Sequence, residues 1–80
     1  MQDPYAYIFD QLSGIYPKSE INYFIRIILH EVCSLSTTDI ALRKFNDLSD
    51  TQLANIIEIT SRLRNYEPIQ YILGKTDFYN

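Results

Sequence analysis

Apolar side chains along this chain recur at intervals of three and four residues, the spacing that lines one face of an α-helix. The first stretch is Tyr5, Ile8, Phe9, Leu12, Ile15 and Tyr16. Asp3-Pro4 opens it with an N-cap residue and a proline at the first helical position, where the missing N–H costs nothing. The predicted helix runs to Pro17, which cannot continue it, and Gly14 weakens its last turn. The second stretch, about Ser19 to Ser34, carries the strongest period: Ile21, Phe24, Ile25, Ile28, Leu29, Val32 and Cys33. Tyr23 and Ile27 are apolar outside that stripe, so this central helix is expected to be contacted on more than one side.

Two short signals then repeat. Leu35-Ser36 precedes Asp39-Ile40, and Leu48-Ser49 precedes Gln52-Leu53. In each, a serine can accept from the backbone three residues on while Asp39 or Gln52 reaches back. The flanking apolar residues have hydrophobic-staple spacing. These are two helix starts. The first helix is short and is expected to end near Lys44–Phe45, with Phe45-Asn46-Asp47 as a turn. The second carries Leu53, Ile56, Ile57, Thr60 and Leu63 on its predicted inner face, with Arg62 and Arg64 suited to the negative end of its dipole. Glu67-Pro68 starts a further short helix with Ile69, Ile72 and Leu73 facing inward. Gly74 reads as its stop. Lys75 to Asn80 has no helical period and looks extended. The fold class is therefore all-α: a small bundle of four helices plus a short fifth, ending at the start of a strand.

Composition narrows the function. The chain has 80 residues, 46% of them hydrophobic and 21% charged, a globular balance that excludes intrinsic disorder. Its two glycines, Gly14 and Gly74, are too far apart to form a phosphate-cradling loop. Eighty such residues are too few for a complete cofactor-dependent enzyme. One cysteine excludes an internal disulfide framework and fits a reducing compartment, so a cytoplasmic location is expected. No apolar run is long enough to span a membrane. The net charge of −3 argues against nucleic acid as a partner. A helix-turn-helix reading of Thr37–Lys44, with Arg43-Lys44 on phosphate, fails on the same balance. The basic residues concentrate late, three against two acidic ones over positions 61–80. Charge there points to an acidic partner or to compensation of a helix dipole.

Candidate catalytic groups are few. His30 and Cys33 lie three apart on the central helix, but a zinc site needs more ligands than they supply. Cys33 reads as a small buried hydrophobe and His30 as half-exposed. Asp47 and Asp50 decorate a turn and a helix start. No catalytic, cofactor-binding or metal-binding residue is assigned. Seven tyrosines in 80 residues are many, and Tyr66, Tyr71 and Tyr79 cluster late, beside Phe78. Ending on Phe78-Tyr79-Asn80 reads as a longer protein cut short.

The run from Glu67 to Tyr79, Glu-Pro-Ile-Gln-Tyr-Ile-Leu-Gly-Lys-Thr-Asp-Phe-Tyr, resembles the junction motif of the HemK/PrmC family. These are protein-(glutamine-N5) methyltransferases acting on peptide chain release factors. Arg62 matches the basic residues before that motif, and Ile28-Leu29-His30-Glu31-Val32 looks like the family's pattern on the second helix. Three positions depart from it. Leu63 stands where a second Arg is common, Tyr66 where Gly is common, and Asn80 where Gly usually follows Phe-Tyr.

The resemblance implies a division of the chain. Residues 1–74 would be a helical substrate-recognition domain. Residues 75–80 would begin a linker β-hairpin toward a missing C-terminal methyltransferase domain that binds S-adenosylmethionine. The fragment itself would bind no cofactor. Its partners would be a class I release factor, whose Gly-Gly-Gln glutamine the parent methylates, and the missing catalytic domain. Candidate partner contacts are Arg62, Arg64, Gln70 and Tyr71. Glu67, Pro68, Gly74, Phe78 and Tyr79 would be structural members of the motif. The alternative is an independent helical adaptor that binds a protein through its tyrosine-rich end.

Overall fold

The computed structural model describes residues 3–45 and 48–74. Five helices follow one another: α1 (Pro4–Leu12), α2 (Lys18–Cys33), α3 (Thr37–Ala41), α4 (Asp50–Arg64) and α5 (Ile69–Gly74). No strand occurs among the described residues, so the domain is all-α. The predicted extended segment from Lys75 onward and the Asn46-Asp47 part of the predicted turn lie outside the described residues.

Local chemistry sets the helix limits. Asp3 accepts from the Ala6 backbone N–H and Pro4 takes the first helical position, so α1 starts as its sequence dictates. It stops at Leu12, one turn before the periodicity predicts. Gly14 adopts φ +85°, a left-handed conformation that breaks the helix, and the N–H groups of Ile15 and Tyr16 both turn back to the Leu12 carbonyl. Ile15 and Tyr16 remain half-buried, so their apolar signal was a packing signal.

The capping boxes of α3 and α4 are both formed. Ser36 accepts from Asp39 while Asp39 accepts from Ser36, and Ser49 and Gln52 do the same. The far ends of these helices also match. Each closes by a Schellman turn: Arg43 and Lys44 donate to Ile40 and Asp39, and Tyr66 and Glu67 donate to Leu63 and Arg62. The residues in the left-handed position are Arg43 (φ 57°) and Tyr66 (φ 65°). That turn ends α3 at Ala41, short of the expected Lys44–Phe45.

α4 packs on α1, α2 and α5, and α3 packs on α2. The core takes at least one residue from every helix: Ile8 and Leu12, then Ile21, Phe24, Ile25, Ile28 and Leu29, then Ile40, then Ile56, Ile59 and Leu63, and finally Ile69 and Ile72. One assignment on α4 needs correction. Ile59 is fully buried, whereas Ile57 is 43% exposed and Leu53 half-buried. Ile56, Ile59, Thr60 and Leu63 share the buried face at the spacing i, i+3, i+4 and i+7, which excludes Ile57. The Thr60 hydroxyl is satisfied within its own helix by the Ile56 carbonyl at 2.7 Å.

Candidate functional site

The corner between α4 and α5 gathers Arg62, Arg64, Tyr66 and Tyr71, the described members of the late cluster. It is built by one turn. Arg62 holds Glu67 twice: its carbonyl accepts the Glu67 backbone N–H at 3.2 Å, and its Nε and Nη2 reach Glu67 Oε1 at 3.0 and 2.9 Å. The hydrogen bond that Arg62 donates to the Glu67 carboxylate raises the guanidinium pKa above its ordinary value. Pro68 follows, and its carbonyl accepts from Ile72 N–H, so α5 begins directly after the ion pair. Proline is compatible there because that position has no helical donor to lose. It sits just outside α5, and Ile69 takes the first helical position. Gly74 is the last residue of α5; its backbone is not left-handed, so it does not act as the expected αL stop.

Tyr16 ties this corner to the rest of the bundle. Its hydroxyl donates to the Leu63 carbonyl at 2.8 Å, and its ring packs edge-on against Phe24 with centroids 5.0 Å apart. The Tyr66 ring lies on its other side at 5.9 Å. Burial, then the neighbouring Tyr66 and Glu20, push the Tyr16 hydroxyl pKa up. A shallow cleft of about 320 Å³ opens beside this cluster, lined by Tyr16, Tyr23, Tyr66 and Gln70 among others.

The four candidate contacts occupy different situations. Arg62 is committed to Glu67. Arg64 donates from Nη1 to the Gln11 carbonyl at 2.7 Å, bridging the end of α4 to the last turn of α1. That carbonyl belongs to the negative end of α1, where a cation is favoured. Gln70 and Tyr71 lie on the exposed side of α5, with Tyr71 52% exposed and within electrostatic reach of Arg62. Glu67 and Pro68 shape the turn. Phe78 and Tyr79 lie outside the described residues. The sequence did not single out Tyr16 as the joint of this corner, because its partner is a backbone carbonyl 47 residues away.

The remaining chemistry-bearing residues are dispersed. Cys33 is half-buried against the core, and burial pushes its thiol pKa up, away from nucleophilic thiolate character. His30 is exposed, with Nδ1 3.2 Å from the Leu35 carbonyl. Among the described residues no three His, Cys, Asp or Glu side chains gather as metal ligands. No helix among them is long and apolar enough to cross a membrane.

The fold and this corner define a small helical domain that holds a tyrosine-edged surface in a fixed geometry. The family described as PrmC N-terminal domain matches residues 4–74, and the chain belongs to it. Two curated relatives agree. The release factor glutamine methyltransferase of Flavobacterium psychrophilum is 35% identical over 68 residues, which cover 85% of this chain and 24% of that protein. The protein of the same name from Bacteroides thetaiotaomicron is 34% identical over 73 residues, covering 91% of this chain and 26% of that protein. The chain thus spans about a quarter of the length of these relatives. No solved structure matches it.

Proposed function

We propose that this chain is the release-factor-recognition domain of a protein-(glutamine-N5) methyltransferase. The observation that carries the reading is the family match over residues 4–74, joined to relatives named release factor glutamine methyltransferase of whose length the match covers about a quarter. In this reading residues 75–80 begin a linker toward a catalytic domain that binds S-adenosylmethionine and methylates the Gly-Gly-Gln glutamine of a class I release factor in the cytoplasm. The chemistry belongs to that second domain. The helical domain supplies binding and orientation, which lower the entropic part of the barrier. The two glycines lie apart, Gly14 in the α1–α2 turn and Gly74 at the end of α5, so they build no Gly-rich loop between them.

The exposed side of α5, with Gln70 and Tyr71, is the contact surface this reading favours. Arg62 fixes the turn before it through Glu67, and Arg64 ties the end of α4 to α1. The test is calorimetric titration of the chain with a class I release factor and, separately, with S-adenosylmethionine. Binding of the release factor, weakened several-fold by Tyr71→Ala, is the expected result; a hot-spot tyrosine is worth about 1–2 kcal/mol. Heat from S-adenosylmethionine with none from the release factor overturns the reading. An independent adaptor is the second reading. Coding sequence that continues past Asn80 into a glycine-rich βαβ unit decides against it.

A further inference from the structure

The geometry points to a second binding site, a cationic groove between α1, α2 and α3 that receives a carboxylate side chain from an acidic, partly apolar protein segment. The groove encloses about 280 Å³ and shares no lining residue with the α4–α5 cleft. Its polar lining is Tyr5, Asn22, Arg26, Thr37 and Arg43, over a floor that includes Ile40. It contains two guanidinium groups and no carboxylate, in a chain of net charge −3.

Three features prepare this groove for an anion. Tyr5 donates its hydroxyl proton to Asn22 Oδ1 at 2.7 Å. That fixes the Asn22 amide with its acceptor occupied and its two N–H donors available. Arg26 lies one helical turn beyond Asn22, on the same face of α2, and makes no ion pair with a described residue. Arg43 places its guanidinium carbon 3.4 Å from the centre of the Tyr5 ring, a cation–π contact that holds this charge at the groove, and it makes no ion pair with a described residue. Arg43 holds this place from a left-handed backbone position that favours glycine.

Charge and shape select the occupant. A nucleic-acid strand would carry successive phosphates past Asp3 and Asp10, which flank Arg43 on one side, and past Glu31 beyond Arg26 on the other. A single carboxylate avoids both. An adjoining trough of about 360 Å³ shares Arg26, Thr37 and Ile40 with the groove and adds Tyr23, Ile27 and Leu35, with His30 and Glu31. An acidic residue in the groove would place a neighbouring apolar side chain there.

The test needs only this chain and synthetic probes, so its failure leaves the release-factor titration standing on its own. An acetylated hexapeptide amide with one central Glu flanked by Leu and Ser is titrated into the 15N-labelled chain. Saturable shifts are expected at the Arg26 and Arg43 Nε–H and the Asn22 side-chain amide. Replacing Glu by Gln in the peptide, or Arg26→Gln in the chain, is expected to weaken binding about tenfold. Arg26 is exposed on α2, so its variant keeps the fold, which the backbone amide spectrum verifies. Equal binding of the Gln peptide, absence of saturation, or tighter saturation of the same resonances by hexauridylate RNA each overturns the proposal.

Discussion

Tyr66 shows at the residue scale how a departure from a family pattern becomes a structural statement. The resemblance led to the expectation of Gly where this chain has Tyr66, and the residue sits at φ 65°. An L side chain there costs about 1–2 kcal/mol relative to glycine. The ring recovers part of that against Tyr16, but it is 70% exposed. Tyr66→Ala and Tyr66→Gly lose the same ring, so their difference isolates the backbone. Urea denaturation is expected to find the Gly variant more stable by about 1 kcal/mol. An Ala variant of equal stability would contradict the left-handed assignment.

Asp39 offers a second residue-scale prediction. Hydrogen bonds from the Ser36 backbone and side chain hold its carboxyl below its ordinary value of 3.8. A depressed folded pKa means that the contribution to stability is present above the unfolded value and is lost as pH falls through the folded one. Protection of the α3 amides, measured relative to the intrinsic exchange rate at each pH, should therefore fall below about pH 4. The equivalent box on α4 uses Gln52, which does not titrate, and should hold its protection over the same range. Parallel loss at both helices would remove Asp39 as the cause.

Helix starts were legible in the sequence because capping is local. Asp3, Ser36 and Ser49 each bond within three residues of themselves. Helix ends were less legible, because Arg43 and Tyr66 close their turns without the glycine that usually announces one. The phase of α4 was misread between Ile57 and Ile59, since both fit a three- or four-residue step from Leu53 or Ile56. The basic end of α4 was visible in the sequence, but its use was not. Arg64 meets a carbonyl 53 residues away, a pairing that periodicity does not encode. Ser49→Ala should cost about 1 kcal/mol by chemical denaturation, the ordinary value for a lost N-cap. A change below ~0.3 kcal/mol would mean that water replaces the cap.

For the molecule as a whole, a domain of this size has roughly 4–12 kcal/mol of stability at ordinary values per residue. A single core truncation of about 2–5 kcal/mol then consumes much of it. Ile59→Ala should lower the urea midpoint steeply, whereas Ile57→Ala, at a position 43% exposed, should change it little. The reverse order would restore Ile57 to the inner face and displace the observed packing of α4.

Among the described residues, nine of the thirteen buried apolar side chains that form the core are isoleucine, and each of the five helices contributes at least one. Branching at Cβ leaves such a side chain essentially one χ1 rotamer on a helix, and it also makes isoleucine a weaker helix former than leucine. No helix here is expected to persist apart from the others, and the shortest, α3 and α5, least of all. Separating any one of them from the bundle uncovers an isoleucine that the rest must leave unpacked. Loss of structure should therefore be concerted, with the δ1-methyl signals of Ile8, Ile28, Ile40, Ile59 and Ile72 disappearing together in one transition.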